Sequence, residues 1–298
     1  MTITEQVLAQ YQNGDFSFTL YKDGTLVRET TVPNPQLAFP SSLDVKITDY
    51  CNMGCAYCHE SSTKAGKHGN MKALLSTLSP LPAGVELAFG GGNPLSHPDL
   101  VDFLTAVKIN GWVSNLTVNQ GHVPVYQQTL GQLIKLKLIH GLGVSITSNN
   151  FKPIEKLREL TNDMVYHLIA GVNPIETIDV LTELGPPKIL VLGYKDYGFG
   201  IKYRSTEVDE NLARWFKYIP KYLGKVHLSF DNLAIEQLKI ERLFTDEGWK
   251  RFYMGDDGEY TMYVDGVEQT YAPTSRSKGR TSWSEMGLIE YFKGQRNT

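Results

Sequence analysis

The sequence contains very little cysteine: three residues in 298, all between positions 51 and 58. Such a set cannot form the paired disulfide framework of a small secreted domain. The N-terminus lacks a basic segment followed by an apolar one, and no uncharged apolar run reaches the ~18 residues of a membrane span. These absences predict a cytoplasmic protein without a membrane anchor.

The sequence also lacks an excess of positive charge. Its net charge is -3 and its pI is about 6.2, so no global basic field would attract nucleic acid or anionic lipid. Nucleic acid is therefore not an expected partner. Hydrophobic residues make up 41% of the chain, which is enough for a sizeable core.

Hydrophobic periodicity divides the chain into three parts. Residues 16–32 alternate around Asp23-Gly24 and predict a β-hairpin. From about residue 43, apolar runs of strand length alternate with amphipathic stretches of helix length, which is typical of parallel strands with crossover helices. Strands are predicted at 43–48, 86–90, 114–119, 142–147, 164–169, 188–193 and 225–230. Helices are predicted near 70–79, 98–110, 124–137, 152–160, 174–184 and 207–218.

After about residue 236 this rhythm stops. The stretch "FYMGDDGEYTMYVDGVEQTYA" predicts strands joined by turns at Asp257-Gly258 and Asp265-Gly266, followed by a short helix near 284–292. The fold class is therefore predicted as α/β, a partial (β/α)6 TIM-like barrel with a β-rich N-terminal hairpin and a C-terminal extension. The predicted domains are an N-terminal extension at 1–42, the partial barrel at 43–235 and a C-terminal β-hairpin and helix extension at 236–298.

The three cysteines follow the first predicted barrel strand, at its carboxyl end, where α/β folds place ligands. Thiolates are soft ligands that suit iron–sulfur clusters, zinc or cuprous ion. A structural zinc ion normally has four protein ligands in paired units, and the sequence offers no second pair. Three thiolates on a four-iron cluster would leave one iron open for a small molecule.

The motif Cys51-x3-Cys55-x2-Cys58, with an aromatic residue, Tyr57, before its last cysteine, resembles the signature of radical S-adenosylmethionine (SAM) enzymes. The resemblance implies a 4Fe-4S cluster held by the three cysteines, with SAM on the fourth iron and Tyr57 beside the cofactors. It also implies reductive cleavage of SAM to a 5′-deoxyadenosyl radical that abstracts hydrogen from a substrate. Because residues 59–298 contain no cysteine, one cluster is the expected maximum.

A glycine-rich turn ends the second predicted barrel strand, in "AFGGGNPL". It resembles the family's turn of two glycines and a glutamate, which holds the methionine amino group of SAM. Gly90, Gly91 and Gly92 offer backbone that a ligand can approach closely. Asn93 stands in place of the glutamate and can accept a hydrogen bond from an ammonium group, without the assistance of a negative charge. An ordinary strand-to-helix turn is the alternative interpretation.

Later strand ends resemble the family's remaining SAM contacts. The resemblance implies that the methionine carboxylate or the ribose meets the third and fourth strands, and that adenine meets the fifth and sixth. The residues concerned are Asn119, Ser145, Thr147, His167, Ile169, Val172 and Leu192. For each of them, ordinary packing in a barrel strand is the alternative.

Candidate catalytic residues are Tyr194 and Lys195 after the sixth strand and Asp231 after the seventh. Lys195 and Asp231 could manage charge or proton transfer at the barrel mouth, and Tyr194 could return hydrogen to a product radical. A solvated loop lysine and a helix N-cap are the alternatives for Lys195 and Asp231.

Three hypotheses for function follow. The first is a radical enzyme acting on a peptide or protein side chain, and the second applies the same chemistry to a nucleotide or another small metabolite. The third is a non-enzymatic iron–sulfur or zinc binding module. Either enzyme would need an electron donor of the flavodoxin or ferredoxin type.

The stretches "SFDNLAIEQL" and "FYMGDDGEYTMYVD" also resemble an uncharacterised branch of the family found in phage and gut bacterial genomes.

Overall fold

The computed structural model describes residues 6–295. A small antiparallel sheet comes first, with strands β1 (Val7–Asn13), β2 (Phe16–Tyr21) and β3 (Leu26–Glu29) in sequential order. The predicted hairpin joins β2 and β3 through Asp23 and Gly24, whose φ of 90° is the left-handed conformation that such a turn requires. Strand β1 was not predicted, although residues 9–12 of its sequence, VLAQYQN, alternate between apolar and polar and between half-buried and exposed.

The main sheet contains the seven parallel strands that the sequence predicts. They are β4 (Ser42–Thr48), β5 (Glu86–Gly91), β6 (Val113–Asn119), β7 (Gly141–Ser145), β8 (Val165–Ile169), β9 (Lys188–Leu192) and β10 (His227–Phe230). Each strand pairs with the next one along the chain. The α/β class and the parallel arrangement are thereby confirmed, and the order of the strands is that of a partial TIM-like barrel.

Ten helices accompany these strands in the part of the chain that the structure describes. They are α1 (Met71–Leu78), α2 (Leu100–Ile109), α3 (Val123–Lys135), α4 (Lys152–Arg158), α5 (Thr177–Glu183), α6 (Gly200–Tyr203), α7 (Thr206–Tyr218), α8 (Asn232–Leu238), α9 (Asp246–Phe252) and α10 (Leu288–Gln295). Side chains cap several of them: Asn70 accepts hydrogen bonds at the start of α1, and Ser205 does so at α7. No helix within residues 6–295 is both long and apolar enough to cross a membrane.

The C-terminal strands extend the main sheet. Strand β11 (Thr261–Asp265) pairs in parallel with β4, and β12 (Thr270–Ala272) and β13 (Thr281–Ser282) follow in antiparallel order. The predicted Asp265-Gly266 turn joins β11 to β12, but Asp257-Gly258 lies between α9 and β11 and joins no strands. The strand predicted before it is absent, because Phe252 is the last residue of α9 and residues 253–255 form neither helix nor strand.

The main sheet curls so that distant strands meet at their carboxyl ends. The amide of Phe199, after β9, donates to the carbonyl of Cys58, after β4, at 2.9 Å. In a flat sheet these two strands would lie about 24 Å apart, at about 4.8 Å per strand. Strands β10 and β13 remain the two edges of the sheet. The curl gives the sheet an outer face, packed against helices, and an inner face.

Candidate functional site

The three cysteines lie on one folded segment after β4. We call residues 49–60 the cysteine loop. The amide of Cys51 donates to the Thr63 carbonyl at 2.9 Å, and the amide of Cys58 donates to the Cys55 carbonyl at 3.1 Å. All three thiols are free and half-buried. The backbone therefore holds them together at the carboxyl end of the first parallel strand.

The thiols are close enough to influence one another's ionisation. Burial raises the pKa of Cys55 to about 11, and Cys58 and Cys51 add to this rise. Burial also raises the pKa of Cys51. The Asn119 side-chain amide approaches the Cys55 sulfur at 3.8 Å as a donor. Within residues 6–295, no three His, Cys, Asp or Glu side chains converge as the ligands of a single metal ion.

These features fit a bound metal cluster. A metal group stabilises thiolates in surroundings that otherwise keep them protonated, and three soft sulfur donors are the ligand type that iron–sulfur clusters use. The donor set and its loop are therefore suited to such a cluster.

The glycine-rich turn packs directly against the cysteine loop. A Cβ at Gly91, where φ is 109°, would lie 2.4 Å from the Thr48 carbonyl oxygen, and one at Gly92 would lie 2.2 Å from that of Tyr50. These two glycines thus let two backbone segments approach each other. Gly90 differs, because a Cβ there would meet nothing within 4 Å. Of the three, only Gly90 has the open space that a ligand would need.

Asn93 is enclosed in this conformation. Its side chain is 0% exposed, and neither its amide nitrogen nor its amide oxygen has a hydrogen-bond partner. A buried amide group without partners costs free energy of about 1–3 kcal/mol. The side chain would have to rotate to reach a ligand on the inner face.

Asn119, Ser145 and His167 lie side by side on three neighbouring strands. The Asn119 side-chain oxygen accepts hydrogen bonds from the Gly121 amide at 2.8 Å and from the Thr147 hydroxyl at 2.9 Å. The structure therefore brings three predicted SAM-contacting positions into one row, with Thr147 attached to it.

The imidazole of His167 lies over a glycine on the neighbouring strand. A Cβ at Gly143 would lie 2.5 Å from Cε1 and 2.7 Å from Nε2 of that ring. Burial, with a smaller contribution from Lys195, lowers the pKa of His167 to about 4. The ring is therefore neutral at pH 7. Ile169 on β8 and Leu192 on β9 are paired in register, and the Val172 amide donates to the Ile169 carbonyl at 3.0 Å.

The three candidate catalytic residues have different surroundings. The Tyr194 hydroxyl, which is buried, donates to the Gly200 carbonyl at 2.5 Å. Lys195 points toward the cysteine loop, with its ammonium nitrogen 3.4 Å from His59 Nε2. Asp231 caps α8, accepting from the Ala234 amide at 2.7 Å. Asp231 is therefore a helix N-cap, which was the alternative interpretation of this residue.

Solvent reaches a carboxylate deep inside the curled sheet. Asp44 on β4 is exposed, yet the surrounding protein raises its pKa by desolvation. Lys195 opposes this rise, whereas Asp231 and Asp257 add to it. Asp44 therefore senses two charges that follow strands on the far side of the sheet, Lys195 after β9 and Asp231 after β10. The inner face encloses a polar space.

An ionic cluster that was not predicted from the sequence is centred on Lys46, which is 8% exposed. Its ammonium nitrogen lies 2.7 Å from Asp265, 3.0 Å from Asp49 and 3.5 Å from Glu60. Burial would lower the pKa of Lys46, but these acids raise it. The one available signal was a lysine inside the otherwise strand-like run "LDVKIT".

Glu60 joins this cluster to His59. Burial acts to raise the pKa of Glu60, but His59, Lys46 and Lys195 together lower it to about 2. The Tyr263 hydroxyl, from β11, donates to the same carboxylate at 3.3 Å. Glu60 is therefore an anion held by groups from three separate parts of the chain.

Residues 45–191 match the Radical SAM superfamily. No curated protein matches the sequence.

Among solved structures, Streptococcus suis SuiB has a similar fold. Its structure without a named ligand matches at 13% identity and a TM-score of 0.63, covering 98% of this chain and 88% of SuiB. SuiB bound to S-adenosylmethionine matches at 14% identity and a TM-score of 0.62, covering 87% of this chain and 68% of SuiB. SuiB bound to precursor peptide SuiA matches at 15% identity and a TM-score of 0.61. In that last match 86% of this chain is covered, but only 65% of the SuiB chain.

Proposed function

The chain is an enzyme of the radical SAM superfamily, and from this premise we propose that it removes a hydrogen atom from a peptide or protein side chain. The observation that carries the radical chemistry is the arrangement at the carboxyl end of β4. There, three half-buried thiols lie on one loop, and the glycine-rich turn packs against that loop. This arrangement agrees with what the family requires: a metal cluster beside a ligand site.

Cys51, Cys55 and Cys58 would hold a single 4Fe-4S cluster. When bound, this cluster supplies the electron that cleaves SAM into methionine and a 5′-deoxyadenosyl radical, which abstracts hydrogen from the substrate. The chain itself contributes the spacing of the thiols and a donor to sulfur, the Asn119 amide, 3.8 Å from Cys55. Tyr57 would border the cofactors, because its side chain interacts electrostatically with Cys55 and Cys58; its ring centre lies 5.4 Å from that of Tyr203.

SAM would bind along the inner face, from the glycine-rich turn toward β9. The positions proposed to contact it are Gly90, Gly91, Gly92, Asn93, Asn119, Ser145, Thr147, His167, Ile169, Val172 and Leu192. The open space at Gly90 supports this proposal, and so do the unpartnered amide of Asn93 and the row from Asn119 to His167. For Gly91 and Gly92, close backbone packing is a sufficient reason to be glycine.

Lys195, Asp231 and Tyr194 would act on the substrate side. Lys195 is the best supported of the three, because its ammonium group faces the cysteine loop and interacts with Asp44 across the inner space. Asp231 accepts from two backbone amides, and Tyr194 donates to a buried carbonyl, so both also support the fold.

Two observations favour a peptide as substrate. The similar protein SuiB was crystallised with a precursor peptide, SuiA. In this chain, β10 is an edge of the main sheet with His227 and Ser229 exposed, so its free backbone groups could pair with an extended segment. The charged inner face, with Asp44 and Lys195, suits the second candidate, a nucleotide or another small polar metabolite.

Anaerobic reconstitution tests the radical chemistry. We expect about four irons per chain and release of 5′-deoxyadenosine that depends on dithionite, or on a reduced flavodoxin or ferredoxin. Replacing Cys51, Cys55 and Cys58 with alanine should abolish both while leaving the circular dichroism spectrum unchanged. An Ala56→Ser variant is the matched control in the same loop and should behave as the parent. One zinc ion per chain without SAM cleavage would instead support a binding module.

The class of substrate can be tested with fractions of a cell extract. A peptide fraction should stimulate 5′-deoxyadenosine release, and digestion of that fraction with protease should remove the stimulation. Stimulation by the small-molecule fraction, unaffected by protease, would support a metabolite substrate instead.

A further inference from the structure

One ammonium group contacts both ends of the cysteine loop. Lys46 Nζ lies 3.0 Å from Asp49 Oδ1 and 3.5 Å from Glu60 Oε2. Asp49 precedes Cys51 by two residues, and Glu60 follows Cys58 by two residues. The segment that carries all three thiols is therefore closed across a single side chain.

A third contact to this ammonium comes from the C-terminal strand. Asp265, the last residue of β11, is paired in register with Lys46, and its Oδ2 lies 2.7 Å from Nζ. This is the shortest of the three contacts. Arg280 holds the same oxygen from the other side at 3.2 Å. Asp265 is only 1% exposed, so the pair is shielded from water and from salt.

Strand β11 also contacts the far end of the loop directly. The Tyr263 hydroxyl donates to the Glu60 carboxylate at 3.3 Å, and the Arg280 guanidinium lies 4.9 Å from the centre of the Tyr263 ring. Two neighbouring side chains of one strand thus hold Lys46 and Glu60.

We propose that Lys46 is a positioning residue that closes the cysteine loop, and that Asp265 fixes Lys46, so that β11 sets the spacing of the three thiols. A lysine side chain has four rotatable bonds, and its ammonium group stays in one place only when partners surround it. Removing one partner from a buried ion pair leaves charge uncompensated, which strongly favours opening of the local structure. The proposal rests on the proposed function only in assigning the thiols to a metal cluster.

The first test uses iron-free protein and measures the rate at which N-ethylmaleimide alkylates the three thiols. Lys46→Met keeps a long apolar side chain but removes the charge, and it should raise the rate by at least about tenfold. Asp265→Asn should act in the same direction with a smaller effect. The matched control is Lys188→Met, because Lys188 also starts from a strand of the main sheet and forms an ion pair with Asp163 at 2.7 Å. This control should alkylate within about twofold of the parent.

The second test separates positioning from general stability. Lys46→Arg restores a cation and should return the alkylation rate to near that of the parent, with little change in iron content. Lys46→Met should load less iron and change the electron paramagnetic resonance spectrum of the reduced cluster. If Lys46→Met does not fold, Asp265→Asn carries the same prediction at equal side-chain volume.

The proposal is overturned if a folded Lys46→Met protein alkylates at the rate of the parent, or if Lys188→Met changes that rate equally. Failure of the parent to bind iron would refute the proposed function. It would leave the alkylation result standing.

Discussion

The parallel strands present two unlike faces. On the outer face, residues such as Leu116, Val144 and Leu168 are 0% exposed and pack under the helices. On the inner face, their neighbours Thr117 and His167 are polar and half-buried. Hydrophobic burial is roughly proportional to the apolar area removed from water, so the outer face supplies most of the stability. The inner face is left free to bind.

The largest difference between the faces should appear at adjacent positions on β6. Leu116→Ala should lower the free energy of unfolding by about 3 kcal/mol, because it removes a buried side chain and leaves a cavity. Thr117→Ala should change it by only about 0.5 kcal/mol. Urea unfolding followed by circular dichroism measures both. Equal losses would mean that the inner face is part of the folding core.

Acid should reveal a second difference, between a sealed histidine and one on the inner face. Burial lowers the pKa of His122, which is 2% exposed, to about 4. The unfolded chain binds a proton near pH 6.5, so between pH 6.5 and 4 it binds more protons than the folded chain. Stability therefore falls as the pH falls through this window.

At pH 4.5, His122 is expected to lower the free energy of unfolding by about 2 kcal/mol. Urea unfolding at pH 7 and at pH 4.5 measures how much stability is lost between them, and His122→Gln should reduce that loss by this amount. His167→Gln should remove less, because solvent reaches His167. A larger effect at His167 would indicate that His167 is at least as well shielded from solvent as His122.

Glycine substitutions should distinguish an inner position from a helical one. A Cβ at Gly143 would meet His167 at 2.5 Å and the Thr117 hydroxyl at 3.0 Å. Gly143→Ala should therefore lower the free energy of unfolding by about 1–2 kcal/mol. It should also weaken SAM binding at least about tenfold. The control is Gly131→Ala in α3, where the nearest atom lies 3.9 Å away. This control should stabilise by about 0.5–1 kcal/mol. Equilibrium dialysis with labelled SAM, together with thermal unfolding, measures both effects.

A small change in stability is also expected at Asn93. Asn93→Ala removes two buried polar atoms that lack partners, which offsets the cost of the cavity, so stability should change by less than about 1 kcal/mol. SAM affinity should nevertheless fall, if the amide rotates to meet the ligand. Unchanged affinity would remove Asn93 from the proposed site.

The outer face explains why the seven parallel strands could be predicted. Runs such as "KILVL" and "LGVSI" are recognisable from their apolar residues alone, because packing against helices requires them. The cysteine site was predictable because all three cysteines lie within one short segment. The division of the chain into three domains stays a prediction, as do the assigned roles of the site residues.

The Lys46 cluster could not be predicted, because its partners are far apart in the sequence. Asp265 was interpreted as a turn residue, and its Oδ1 does accept from the Val267 and Glu268 amides at 3.0 Å. Its other oxygen contacts Lys46. A local pattern reveals the first of these contacts, whereas only the pairing of β11 with β4 reveals the second.

The pairing of β11 with β4 also has a consequence for folding during synthesis. About 200 residues separate the two strands, so a ribosome adding 5–20 residues per second needs roughly ten to forty seconds to supply the partner of β4. During that interval one edge of the strand that leads into the cysteines has no neighbour, and the nascent chain exposes it to unwanted pairing. The contacts that Asp265 makes with Lys46 and that Tyr263 makes with Glu60 can therefore form only after β11 has been synthesised.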